Sequence, residues 1–135
     1  MAGAERLDAF SLMKQFRADE GLLAEALALF VDRPDYGFVW LAYDDGIPAA
    51  CASAAYAIGT ETGGLVATLR DFWVAPDRRR RGIGTALLAT LHGRLDQLGV
   101  TRVEASLPSD HALQSFFSTR GYTDLGGTTV VSNRR

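Results

Sequence analysis

The chain has 135 residues, of which 47% are hydrophobic and 22% charged, and it carries a formal net charge of -2. This is an ordinary globular balance for one compact domain over residues 1–135, and the slightly acidic charge argues against a nucleic-acid partner. Cys51 is the only cysteine, which excludes an intrachain disulfide, and neither a signal-peptide pattern nor a run of ~18 apolar residues stands anywhere, so a cytoplasmic protein without a membrane partner is expected.

Leu7, Phe10, Met13 and Phe16 recur at helical spacing, and Leu22, Leu23, Ala26, Leu27 and Phe30 do so again. Asp19 is placed to cap the second helix, and Arg33-Pro34-Asp35 ends it, because proline cannot continue the ladder. Phe38 to Tyr43 is aromatic and β-branched, as a strand requires. Asp44-Asp45-Gly46 reads as a hairpin turn, since Asp-Gly tolerates positive φ. Ala49 to Ile58 is the returning strand and Leu65 to Val74 a third, with Thr60 to Gly64 turning between them. The period then changes. Leu87, Leu88, Leu91, Leu95 and Leu98 share one helical face, and Gly99 stands at the helix stop. Thr101 to Leu107 predicts a strand, Leu113, Phe116 and Phe117 a short helix ending at Gly121, and Thr128 to Ser132 a last strand. The order implies an α/β (α+β) fold, with a mixed, mostly antiparallel sheet and helices on both faces.

The chemistry-bearing segment runs from Leu69 to Leu88. A hydrophobic strand enters a turn at Pro76, then four arginines, Arg78 to Arg81, then Gly82-Ile83-Gly84 and a helix. The first N–H groups of a helix lack intrahelical partners, and the helix dipole adds partial positive charge, so a phosphate is favoured there. Glycines let the backbone turn with positive φ and let an anion reach the N–H groups. Alone, Gly82-x-Gly84 is as readily a tight turn, and the arginine run a solvated face. A P-loop is excluded, because no Gly-Lys-Ser/Thr is present, and the third glycine of a dinucleotide fingerprint is replaced by Leu87.

Val74-x-Pro76-x-x-Arg79-x-x-Gly82-Ile83-Gly84 resembles the acyl-CoA signature of the GNAT superfamily of N-acetyltransferases. The similarity continues through Asp110, Phe117 and Gly121-Tyr122, where that family often carries Asn, Tyr and Gly-Phe. It is strong from about Leu65 to Tyr122 and only topological before that. The resemblance implies a single GNAT-type domain that uses acetyl-CoA as cosubstrate and a small-molecule primary amine as acceptor, by direct attack. It implies that Phe72, Trp73 and Val74 pair with the pantetheine arm as an added strand would. The Val74 backbone N–H would face the thioester oxygen. The pyrophosphate would lie over Arg79, Arg80, Arg81, Gly82, Ile83, Gly84 and Thr85, and Asp110, Leu113 and Phe117 would flank the pantetheine. Two alternatives are a non-catalytic acyl-CoA-binding module and an enzyme acting on a protein N-terminus or side chain. A protein acetylator would need an open groove and a small-amine enzyme a closed acidic pocket.

The sequence departs from the family pattern at two places. The tyrosine that commonly protonates the leaving thiolate is Phe117, and a glutamate of several diamine-acetylating members is Arg70. The candidate bases are therefore Asp71, Glu104 and His111. Asp110 is also placed as a helix N-cap. His92 and Cys51 read as structural, and two histidines and one cysteine far apart offer no metal-ligand spacing, so no metal is expected. Phe117 is expected to pack against the pantetheine. A short last strand leaves a sheet edge open, from which a homodimer through the C-terminal strands is expected.

Overall fold

A computed structural model describes residues 3–108, 110–124 and 129–134. Two helices open the chain, α1 (Gly3–Met13) and α2 (Glu20–Asp32). The first stops earlier than its apolar spacing predicts. The Met13 carbonyl accepts from both Phe16 and Arg17 N–H groups, at 3.1 and 2.9 Å, and this tight turn swings Arg17 toward the sheet. Asp19 caps α2 as expected, accepting from the Leu22 N–H at 3.0 Å.

Strands β1 (Gly37–Asp44) and β2 (Ile47–Gly59) form a hairpin over Asp45 and Gly46, both with positive φ, 51° and 75°. That geometry matches the right-handed strand twist. β2 is longer than its alanine content suggests. Ala49 to Ala54 are buried, with a neighbouring strand on each edge and helices on both faces, so packing overrides the weak β preference of alanine. β3 (Gly64–Val74) returns antiparallel, followed by a short 3₁₀ turn at Pro76–Arg78, α3 (Ile83–Gln97), β4 (Val100–Ser106), α4 (His111–Ser118), β5 (Thr123–Asp124) and β6 (Thr129–Asn133). The two-residue β5 was not foreseen, and Thr128, expected to open β6, lies outside the described residues.

The sheet order is β1-β2-β3-β4-β6-β5, with β3–β4 the parallel pair and its other neighbours antiparallel. One core lies between the sheet and α3 and α4, built on Leu87, Leu88, Leu91, Leu95, Leu69 and Phe117. The other lies under α1 and α2, around Leu12, Met13, Leu27 and Cys51. No helix among the described residues is long and apolar enough to cross a membrane.

Two features of β3 position the site. Its pairing with β4 runs from Leu65–Val100 to Leu69–Ala105, and the last five residues of the strand have no β4 partner. A bulge interrupts the pairing with β2 between Cys51–Trp73 and Ser53–Arg70, and Asp71 within it adopts φ 55°. A bulge bends its strand and re-aims its side chains. The sheet therefore opens into a slot between the end of β3 and the Ser106-Leu107-Pro108 segment.

Candidate active site

The slot has a volume of about 590 Å³ on its arginine side, within the ~300–1,000 Å³ range of small-molecule sites. One wall is Phe72, Trp73 and Val74, the other Pro108, Asp110 and Leu113, and its end is Arg79, Arg80, Gly82, Ile83, Gly84 and Thr85. These elements come together because β3 leads directly through the arginine turn into α3. Asp110 caps α4, accepting from Ala112 and Leu113 N–H groups at 2.9 and 3.2 Å.

The backbone of the slot presents free donors. Ala75 donates to the Ala49 carbonyl at 2.8 Å, so the adjacent Ala50–Val74 pair is of the non-hydrogen-bonded type. The N–H and C=O of Val74 consequently point away from β2, on the side where β4 has diverged. Arg79 Nε donates to that carbonyl at 2.9 Å, which leaves the N–H directed at the slot. At the slot's end Gly82, with φ 78°, is the N-cap of α3 without a side-chain cap. The first helical bond, Ala86 N–H to Gly82 C=O at 3.0 Å, leaves the N–H groups of Ile83, Gly84 and Thr85 without intrahelical partners. A Cβ built at Gly84 would lie 3.4 Å from Val74 Cγ2 and 3.7 Å from Phe116 Cζ, between two slot-lining residues.

The arginine run divides its labour. Arg78 and Arg81 both bind Asp44 Oδ2, at 2.6 and 3.1 Å, which ties the run to the β1–β2 hairpin. Arg79 fixes the Val74 carbonyl. Arg80, with φ 64°, lines the slot and has no hydrogen-bond or ion-pair partner among the described residues. Arg81 does not line the slot, contrary to expectation, because Asp44 holds it on the hairpin side. Arg120, which sequence reasoning missed, does line it. Its Nη2 donates to Thr85 Oγ1 at 2.8 Å and its guanidinium lies 3.8 Å over the Phe116 ring.

Phe117 requires a correction. It is fully buried, in edge contact with Phe72, Phe116 and Tyr122 at ring separations of 5.2, 5.6 and 4.9 Å, and is absent from the slot lining. Phe116 faces the slot instead. Consecutive helical residues point about 100° apart, and here that turn gives Phe116 to the slot and Phe117 to the core.

A second hollow of about 540 Å³ shares Phe72, Trp73, Pro108 and Leu113 with the first, and adds Phe16, Arg17, Arg70, Asp71, Ser106 and Leu107. The two hollows adjoin along these four residues. Asp71 is the candidate base that lines it: one carboxylate oxygen accepts from Arg17 and the other from Ser53 Oγ at 2.8 Å. Glu104 lies on β4 opposite Thr68 and Val131, 3.5 Å from Arg102 Nε, and does not line this hollow. The His111 backbone opens α4, but its side chain lies outside the described residues. Burial pushes the Cys51 thiol up to about 12, which fits a small core residue rather than a nucleophile. Among the described residues no three His, Cys, Asp or Glu side chains gather as metal ligands do.

A family model for the acetyltransferase (GNAT) family matches residues 6–122. The chain belongs to the GNAT acetyltransferase family. It is accordingly an acyltransferase. None of the curated proteins compared matches it. Solved structures share its fold at low sequence identity. The aminoglycoside N-acetyltransferase AAC(6')-Iy in complex with CoA superposes with a TM-score of 0.81 at 17% identity, covering 94% of this chain and 87% of that one. An aminoglycoside 6'-N-acetyltransferase from Acinetobacter haemolyticus gives 0.78 at 20% identity, over 94% and 90%. A predicted acetyltransferase with acetyl-CoA from Clostridium acetobutylicum gives 0.73 at 14% identity, over 90% and 85%. The GNAT signature thus spans the end of β3, the arginine turn and the start of α3, where the slot's free N–H groups converge.

Proposed function

We propose that this GNAT protein transfers the acetyl group of acetyl-CoA to the primary amine of a small molecule by direct attack. The observation that carries the reading is the alignment of free backbone donors along one slot, from Val74 at its middle to Ile83, Gly84 and Thr85 at its end. The pyrophosphate would lie over the α3 N-terminus with Arg80 as its nearest uncommitted cation, and Arg120 and Phe116 would flank the pantetheine. The Val74 N–H would face the thioester carbonyl oxygen and stabilise the charge that develops there. The second hollow would admit the amine from the side opposite the pyrophosphate end.

The chemistry balances without a covalent enzyme intermediate. The amine nitrogen attacks the thioester carbon, the C–N bond forms and the C–S bond breaks. CoA leaves as the thiol, taking up the equivalent of the proton that the amine loses. The buried, high-pKa Cys51 has no part in this. Neither phenylalanine of α4 can deliver a proton to the thiolate. Asp71 has both oxygens engaged, by Arg17 and Ser53, so in this reading its carboxylate draws the amine to the second hollow by charge, and the amine sheds its proton to solvent before it attacks.

Acetyl-CoA supplied with a library of amines, read by mass spectrometry and by thiol release, tests the proposal. An acetylated amine with stoichiometric free CoA is expected. CoA binding with no thiol release from any amine would replace transfer by a binding role.

A further inference from the structure

Among the described residues the acceptor mouth, the second hollow, is not acidic: its charged side chains are Arg17, Arg70 and Asp71, two cations against one anion. Arg17 is already paired with Asp71. Arg70 has no side-chain hydrogen bond or ion pair among the described residues, although it stands beside Asp71 in the chain and lines the mouth. Its strand partner Ser53 is on the same face, and Ser53 Oγ bonds the Arg70 carbonyl and the Asp71 carboxylate, at 3.2 and 2.8 Å, which fixes the backbone of the bulge. Asp19, on the adjoining hollow, caps α2.

A third hollow, of about 300 Å³, shares Arg17, Arg70 and Asp71 with the acceptor mouth. It lies against α1 and α2 and is mainly apolar, lined by Met13, Leu22, Leu23, Ala26, Leu27 and Phe30, with the α2 cap Asp19 at its edge. The mouth therefore places an unpaired guanidinium, a carboxylate and an apolar recess side by side. A guanidinium matches a carboxylate in shape as well as charge. A polycationic acceptor would meet two arginines, with Asp71 already shared with Arg17 and Asp19 already capping α2.

We propose that the acceptor is a small zwitterion, an α-amino acid with an apolar side chain. Arg70 holds its carboxylate, Asp71 faces its amino group, which attacks as the free amine after losing its proton to solvent, and the recess against α1 and α2 takes its side chain. This rests on the acetyltransferase reading above and names the substrate class of the same site. Arg70 is a specificity residue, and it is absent from the CoA side of the slot.

The test compares matched probes that differ by one group. L-leucine against isopentylamine, and L-phenylalanine against phenethylamine, are supplied with acetyl-CoA, with kanamycin as a polycation and 1-amino-3-methylbutylphosphonic acid as a second anion. In parallel, N-acetyl-L-leucine and N-isopentylacetamide are titrated into the CoA-saturated protein by calorimetry. The amino acids are expected to exceed the matched amines at least tenfold in kcat/KM, and N-acetyl-L-leucine to bind at least tenfold more tightly than its amide partner. Arg70→Gln should abolish both preferences while leaving CoA affinity unchanged. A phosphonate that outperforms leucine would overturn the carboxylate assignment. So would equal or better use of the matched amines or kanamycin, failure of N-acetyl-L-leucine to bind, or a preference that survives in Arg70→Gln. Any of these with CoA binding intact leaves the acetyltransferase reading standing; loss of CoA binding in the wild type would remove both.

Discussion

Arg17, just beyond the end of α1, donates from its guanidinium to the carboxylate of Asp71, the bulged residue of β3. The pair ties the α1–α2 connection to the sheet at the hollow proposed for the acceptor. Its worth to stability is small, because Arg17 is half exposed and such pairs contribute about 0–1 kcal/mol. Its use is positional. Asp71→Asn keeps the shape and removes the charge. The KM for the amine should rise about tenfold or more with a smaller change in kcat, as steady-state kinetics would show. A kcat reduced by about 100-fold at unchanged KM would instead give Asp71 the role of general base.

Among the described candidate bases Asp71 has both oxygens engaged and Glu104 faces Arg102, so the rate should follow the free-amine fraction. A lysine-like amine, with a pKa of about 10.4, is free to roughly one part in a thousand at neutral pH. The kcat/KM should climb about tenfold per pH unit and level off at the pKa of whichever amine is used. A plateau near neutrality that stays in place when the amine is changed would point to a titrating group of the enzyme.

Gly84 is the cleaner glycine to alter. A Cβ there enters ordinary contact with Val74 and Phe116, and the branched methyls of valine would occupy the slot. Gly84→Val should weaken CoA binding at least tenfold by calorimetry while the thermal midpoint moves little. Gly82 behaves differently. Its added Cβ meets nothing, but φ is 78°, so Gly82→Ala should cost about 1–2 kcal/mol of stability through backbone strain. Denaturant titration of the two variants separates these effects.

The two phenylalanines of α4 should have opposite phenotypes. Phe116→Ala removes a slot wall and the ring under Arg120, and should weaken CoA binding with modest loss of stability. Phe117→Ala opens a cavity in the core and should cost about 3–5 kcal/mol in denaturant unfolding. Wild-type stability in Phe117→Ala would contradict its full burial.

His92 supplies a pH dependence of folding. It is half-buried, its Nε2 is 2.6 Å from the Tyr122 hydroxyl, and its pKa is lowered, first by burial and second by Arg134. The unfolded chain then takes up the proton more readily than the folded one. This contribution to stability is present above about pH 6.5 and is lost as pH falls through the lower, folded value. The melting temperature should therefore drop on acidification below about pH 6.5, and His92→Gln should flatten that part of the profile.

Local chemistry was legible in the chain itself. Asp45-Gly46 needs positive φ and forms the hairpin, Asp19 and Asp110 have the capping oxygen their helices use, and the leucines of α3 share the buried face their spacing predicts. Gly82 and Gly84 marked the strand-to-helix turn that closes the slot, because the requirement for a free backbone at a helix start is written in neighbouring residues. The remaining features depend on contacts between residues far apart in the chain. Which ring of the Phe116-Phe117 pair is buried follows from how α4 seats on the sheet. Arg81 is turned aside by Asp44, which lies 37 residues away, and Arg120 reaches Thr85 across 35. The charge of the hollow proposed for the acceptor is the clearest case. Arg17, Arg70 and Asp71 meet there only because the Met13 turn brings one arginine back while a bulge in β3 re-aims the other two, and long-range packing of that kind has no local signature.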